Sequence, residues 1–210
     1  MIATEVISML RTEGKGIEIT SLFSHSDKEK AQSLAKANRI AHVYTDYTQL
    51  LKEDDADFVY IALVNSAHYD YVRQALEADR NVIVEKPFTT SLSQAEELAS
   101  LARSRNLYLF EAVSLLHTPN FKLVKDSLTR ITPIHLVQCN FSQYSSRFER
   151  YLQGDIAPAF NPKLGGGAMN DLNVYNINTV IGLFGEPLTT TYYANRGHNG
   201  IDTSGTMVLS

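Results

Sequence analysis

No internal disulfide is possible in this chain, because it holds a single cysteine, Cys139. A reducing cytoplasm fits that usage. Long apolar runs are also missing: none approaches the roughly 20 residues of a membrane span. The N-terminus, MIATEVISMLRTEGKG, carries Glu5 and lacks the basic-then-apolar pattern of a secretory signal. No lysine or arginine cluster stands out and the net charge is -4, which argues against a nucleic-acid partner. The six histidines (25, 42, 68, 117, 135 and 198) have no metal-ligand spacing. What remains is an ordinary globular composition, 44% hydrophobic and 20% charged over 210 residues, enough chain for a real core.

The first half alternates helix and strand patterns. Ile2, Val6, Met9 and Leu10 stand at helical spacing, and Gly14 and Gly16 end that helix. Ile17 to Phe23 is rich in β-branched residues and predicts a strand. A helix over 27–38 follows, with Ser26 or Asp27 as its cap, then an extended pair at Val43-Tyr44 and a short helix from Tyr47 to Lys52. Phe58 to Val64 is nearly continuous apolar sequence, as expected for a strand buried in a parallel sheet. Helices over 68–78 and 91–105, the second opened by a Ser91-x-x-Gln94 capping box, alternate with strands over 81–84 and 107–110. Strands separated by helices of this length imply right-handed crossovers and a doubly wound α/β sheet. After Pro119 the pattern changes. It predicts a helix over 121–128, a long strand from Ile134 to Tyr144 and a Gly/Pro/Asn-rich loop over 153–167. A helix over 168–184 and strands over 189–195 and 203–209 complete it. The expected organisation is a first domain over 1–118 and a second, α+β domain over 119–210 with an open, mostly antiparallel sheet.

The segment VIVEKPFTT, Val82 to Thr90, runs from a strand directly into Glu85-Lys86-Pro87. A charged pair at a strand end is often just the point where chain meets solvent. The alternative is a lysine presented to a site, its backbone restricted by the adjacent proline. On the helix over 168–184, Asp171 and Tyr175 lie four apart and face the same way. A carboxylate beside a phenol can orient a hydroxyl and exchange its proton. Packing of Tyr175 between helix and sheet is the plainer use.

Three stretches, YIALVNSAH (Tyr60 to His68), Glu85-Lys86-Pro87 and GGGAMNDLNVY (Gly165 to Tyr175), resemble in order and separation the glucose–fructose oxidoreductase / inositol dehydrogenase family (Gfo/Idh/MocA). The resemblance runs over essentially the whole chain and implies a Rossmann-like first domain. The activity it implies is NAD(P)-dependent hydride transfer between the cofactor and a secondary alcohol or ketone of a sugar, polyol or dihydrodiol. A non-catalytic dinucleotide-binding or regulatory protein is the alternative. The resemblance places Lys86 between nicotinamide and the reacting carbon, makes Tyr175 the proton donor or acceptor, and leaves Asp171 to orient. It sets the Leu63-Val64-Asn65 turn against ribose and nicotinamide, with Glu85, Lys86 and Glu111 on the nicotinamide side. His68 is either a cofactor contact or a cap of the following helix. Asn173 stands where the family commonly has glycine, and Leu115 and Leu116 occupy the zone of a family arginine. Gly165 to Gly167 either bind an anion at a helix start or, the stronger use, make a tight turn. The family also implies a homo-oligomer formed through the second-domain sheet.

Cofactor choice follows from the end of the second strand. NAD-preferring sites usually place an acid there for the ribose 2′-hydroxyl. Here the chain has Ser24, His25 and Ser26, with Asp27 and Lys28 beyond, so NADP(H) is favoured over NAD(H). The G-x-G-x-x-G fingerprint is missing. Met1-Ile2-Ala3 resembles the end of that loop, the first strand is not seen, and the chain stops at Ser210 inside a strand-like run. A fragment is therefore expected, whose isolated 210-residue chain binds dinucleotide weakly or not at all.

Overall fold

A computed structural model describes residues 2–210, so Met1 of the Met1-Ile2-Ala3 reading lies outside the described residues. The chain forms two compact units. Among the described residues the first comprises 2–62, 70–84 and 96–110, and the second 63–69, 85–95 and 111–210.

In the first unit, helix α1 (Ile2–Glu13) leads to β1 (Ser21–Phe23), α2 (Lys28–Asn38), β2 (His42–Tyr44), α3 (Tyr47–Glu53) and β3 (Phe58–Ile61). Helix α4 (His68–Glu77), β4 (Asn81–Val84), α5 (Leu92–Ser104) and β5 (Leu109–Glu111) follow, with the ends of α4, α5 and β5 reaching into the second unit. Strand β1 pairs in parallel with β2, and β3 with β4, which also neighbours β5. The two ladders are separate sheets. The helix starts are set by local acids. Asp27 accepts from the Lys30 N–H, and Asp46 from the N–H groups of Thr48 and Gln49.

The predicted helical stripe on α1 is shifted. Ile7 is the buried residue and packs with Ala35 and Ile40, while Ile2 and Met9 face solvent. Burial at 3, 6, 7 and 10 still keeps the helical period. Strand β4 has the predicted bounds, whereas β1, β3 and β5 are shorter than predicted. Ile17 is exposed and β1 has only three residues, because its partner β2 is itself confined between the left-handed turn at Arg39 and the α3 cap at Asp46. Strand β3 ends at Ile61, and the chain then enters a 3₁₀ turn, Asn65–Ala67. The main core gathers Val72, Ala75 and Leu76 of α4, Val82 and Val84 of β4, and Leu98 and Ala102 of α5. Ser91 caps α5 through its carbonyl, which accepts from Ala95. Its hydroxyl meets that of Ser93 rather than forming the predicted box.

In the second unit, Thr118 caps α6 (Pro119–Ser127), which is followed by α7 (Phe148–Leu152), α8 (Val174–Phe184) and the antiparallel hairpin of β6 (Thr190–Arg196) and β7 (Asp202–Leu209). The strand predicted over 134–144 does not form. Its alternation is present, but among the described residues no other segment offers it a hydrogen-bonding ladder. Leu136, Val137, Phe141 and Tyr144 are consequently exposed. A small aromatic core ties α7 to the β6–β7 loop. Tyr151 stacks on Phe160 and His198, and its hydroxyl donates to Asn199 Oδ1 at 2.9 Å.

Candidate active site

Strand β4 hands the chain directly to Glu85-Lys86-Pro87, and the Lys86–Pro87 peptide is cis. The Lys86 ammonium donates to Asp171 Oδ1 and to the Asp171 backbone carbonyl, both at 2.9 Å. It also lies 5.0 Å from the centroid of the Tyr175 ring. The three residues named for oxygen chemistry thus share one spot. An ammonium has three donors, and two are used on Asp171. The Lys86 side chain is 15% exposed and that of Asp171 46%, so the pair is open to a ligand on the carboxylate side.

The helix holding Asp171 and Tyr175 is not a uniform α-helix. Met169–Asn173 forms a π turn, and the Val174 N–H reaches back five residues to the Met169 carbonyl. Such widened turns are frequent at functional sites. Here the turn brings both the side chain and the carbonyl of Asp171 to the same ammonium. The Tyr175 ring is stacked with Phe141, 5.2 Å between centroids and 18° between planes. Phe141 belongs to the segment predicted as a strand, and nothing local in the sequence marked it as a neighbour of Tyr175.

The three glycines before the helix serve close packing. A Cβ on Gly165 would lie 2.6 Å from Thr90 Cγ2 and 3.0 Å from Asn65 Cβ. One on Gly166 would meet the carbonyl oxygens of Ala159 and Pro158, and one on Gly167 would meet Asp202 Oδ1. Asn65 belongs to this knot. Its amide donates 2.8 Å to the Gly165 carbonyl, which also accepts from Asn170 Nδ2 at 3.0 Å. His68 is fully buried, Nδ1 2.8 Å from the Pro87 carbonyl and Nε2 3.2 Å from that of Leu63. The cofactor contact considered for His68 is corrected accordingly. Its ring nitrogens are occupied by protein carbonyls, and the ring joins the Leu63 turn to the lysine turn.

Glu111 Oε1 accepts from the Phe88 N–H at 2.8 Å and so braces the turn after Lys86. Burial pushes its carboxyl above the ordinary range, and Glu85 pushes the same way, against the Phe88 bond and Lys86. Between the unfolded and folded pKa values the folded chain holds a proton that the unfolded chain has lost. Stability contributed by this group is therefore full below the unfolded value and falls as pH rises through the raised one. Glu111→Gln keeps an acceptor for Phe88 and removes the titration. Thermal melts from acid to neutral pH are expected to show the variant gaining on the wild type as pH rises. A constant difference would exclude Glu111 as the source.

Ser24, His25 and Ser26 follow β1 in the first unit. The Ser24 hydroxyl bridges the N–H and the carbonyl of Asp27, while His25 and Ser26 are exposed.

Parallel strands joined by helices, as in the first unit, are the pattern of an open α/β fold, whose ligands bind beyond the carboxyl ends of the strands. Residues 1–113 match the model of the oxidoreductase family with an NAD-binding Rossmann fold, GFO_IDH_MocA, and the chain belongs to that family. It is 32% identical over 208 residues to the uncharacterized oxidoreductase YgjR of Escherichia coli, covering 99% of this chain and 63% of that protein. It is 32% identical over 193 residues to the NADP(+)-dependent scyllo-inositol 2-dehydrogenase IolU of Bacillus subtilis, covering 92% and 58%. The chain thus spans about 60% of the length of these relatives. Among solved structures, a mutant 3-ketoreductase of Actinomadura kijaniata in complex with TDP-benzene and NADP matches with TM-score 0.79 and 27% identity, over 97% of this chain and 61% of that one. The WlbA dehydrogenase of Bordetella pertussis, in complex with NADH and UDP-GlcNAcA, matches in fold with TM-score 0.85 at 18% identity, over 100% and 65%.

Proposed function

We propose that the protein moves a hydride between NADP(H) and a secondary alcohol or ketone carbon of a sugar, polyol or dihydrodiol. The observation that carries this reading is the meeting of Lys86 with both Asp171 and Tyr175. The donor set fits the chemistry, since a cation and a phenol surround a half-open carboxylate. Bound nicotinamide would supply the hydride. Lys86 holds the substrate oxygen with its remaining donor and stabilises the negative charge that develops there. Tyr175 gives or takes the hydroxyl proton, and Asp171 holds the ammonium and orients the substrate. Leu63, Asn65, Glu85 and Glu111 frame the cofactor side.

NADP(H) is preferred to NAD(H) because Asp27, the first acid after β1, already caps α2 through the Lys30 N–H. His25, Ser26 and Lys28 are left for a 2′-phosphate. Relatives named scyllo-inositol 2-dehydrogenase and dTDP-3,4-didehydro-2,6-dideoxy-alpha-D-glucose 3-reductase support cyclic polyol or sugar substrates. We assign residues 1–118 to the dinucleotide and 119–210 to substrate and subunit contacts in a cytoplasmic homo-oligomer.

The test is a spectrophotometric screen of the intact protein against inositols, hexoses and dihydrodiols with NADP+ and NAD+. Absorbance growth at the reduced-nicotinamide band, faster with NADP+, is expected. Tight cofactor binding without turnover would instead favour a non-catalytic dinucleotide-binding protein.

A further inference from the structure

A helix start leaves its first N–H groups without intrahelical partners. At the start of the helix bearing Asp171 and Tyr175, one such group is served from far away in the chain. The Met169 N–H donates 2.7 Å to Asp202 Oδ2, on β7, across 33 residues of sequence. The Tyr192 hydroxyl, on β6, donates to the same oxygen at 2.7 Å. The other carboxylate oxygen faces Gly167, where an added Cβ would collide with it. The Gly167 carbonyl in turn accepts from the Asp171 N–H at 2.9 Å. Burial and the Asp202 bond both raise the Tyr192 phenol, which therefore stays a donor.

We infer that Asp202 is a positioning residue for the Lys86–Asp171–Tyr175 set. Its carboxylate pins the first N–H of the π turn and bears on Gly167, and so fixes where Asp171 and Tyr175 stand about the Lys86 ammonium. Negative charge at a helix start is favourable in itself. The geometric consequence is larger, since a misplacement of about 1 Å in such a set costs about 100-fold in rate. The catalytic part of this inference rests on the hydride-transfer reading. The structural part does not.

The experiment compares wild type, Asp202→Asn and Asp202→Ala in the intact protein. It reads kcat, cofactor KM, and amide exchange over 169–173. Asp202→Ala is expected to lose about 100-fold in kcat with cofactor KM unchanged, and to exchange faster at Met169 and Asp171. Asp202→Asn keeps one acceptor oxygen for the Met169 N–H and the Tyr192 hydroxyl but not the charge, and charge-assisted bonds are roughly twice as strong as neutral ones. It is expected to fall between the two in kcat and in exchange. Asp202→Asn matching the wild type in both kcat and exchange overturns the inference, and this variant decides the matter should Asp202→Ala not fold. If the wild type turns over no substrate, hydride transfer fails on its own. Exchange then decides the positioning role: faster exchange in the variants upholds it and equal exchange overturns it.

Discussion

Lys86→Ala in the intact protein is expected to lower turnover about 1000-fold while leaving dinucleotide affinity near the wild-type value. The ammonium is the only cation within hydrogen-bonding reach of Asp171 recorded among the described residues, and it sits over the Tyr175 ring. Removing it takes away the charge aimed at the reacting oxygen. It also leaves Asp171 to repel the negative charge that develops there. Loss of stability will not account for the effect. The Asp171 side chain is 46% exposed and can be hydrated, so this partly open pair contributes on the order of 1 kcal/mol or less. Lys86→Arg is not expected to rescue, because a planar fork replaces a compact point charge. Steady-state rates with a parallel NADPH fluorescence titration check both halves. Full activity in the alanine variant removes Lys86 from the mechanism. Loss of NADPH binding in step with rate makes it a cofactor anchor instead.

The sequence was most informative where a feature is local. Glu85-Lys86-Pro87 directly after three aliphatic strand residues, and a four-residue spacing between Asp171 and Tyr175, are both visible in short windows, and the structure brings these residues to one point. The alternation of strands and helices through residue 111 was legible for the same reason, since period and cap residues such as Asp27 and Asp46 are local signals. Long-range partnerships were not. The segment 134–144 alternates as a strand should, but a strand exists only with a neighbour, and a pattern does not reveal whether one is there. His68 resembled a ligand contact until its two carbonyl partners, 5 and 19 residues away, were seen. Asp202 carried no motif at all. Its significance lies in Met169, Gly167 and Tyr192, which only the fold assembles around it.

Gly166→Ala is expected to destabilise the chain by about 3 kcal/mol, at the upper end of overpacking penalties. The added Cβ would sit 2.5 Å from the Ala159 carbonyl oxygen and 2.6 Å from that of Pro158. Neither obstacle is the tip of a flexible side chain. The Ala159 carbonyl is already fixed by the Gly167 N–H at 2.9 Å, and the Gly166 N–H is held by the Asn161 carbonyl at 3.0 Å. Relief therefore requires breaking backbone bonds in the loop that delivers the helix start. A loss of this size should lower the melting temperature by about 10 °C in a chain of this length. Gly154→Ala is the control. That glycine has φ +88° but nothing within 4 Å of an added Cβ, so only backbone strain of about 1–2 kcal/mol applies. If steric contact is the reason for the glycine triplet, Gly166→Ala melts well below Gly154→Ala. If the two melt alike, the 158–167 loop yields freely. In that case it cannot be what holds Asp171 and Tyr175 against Lys86.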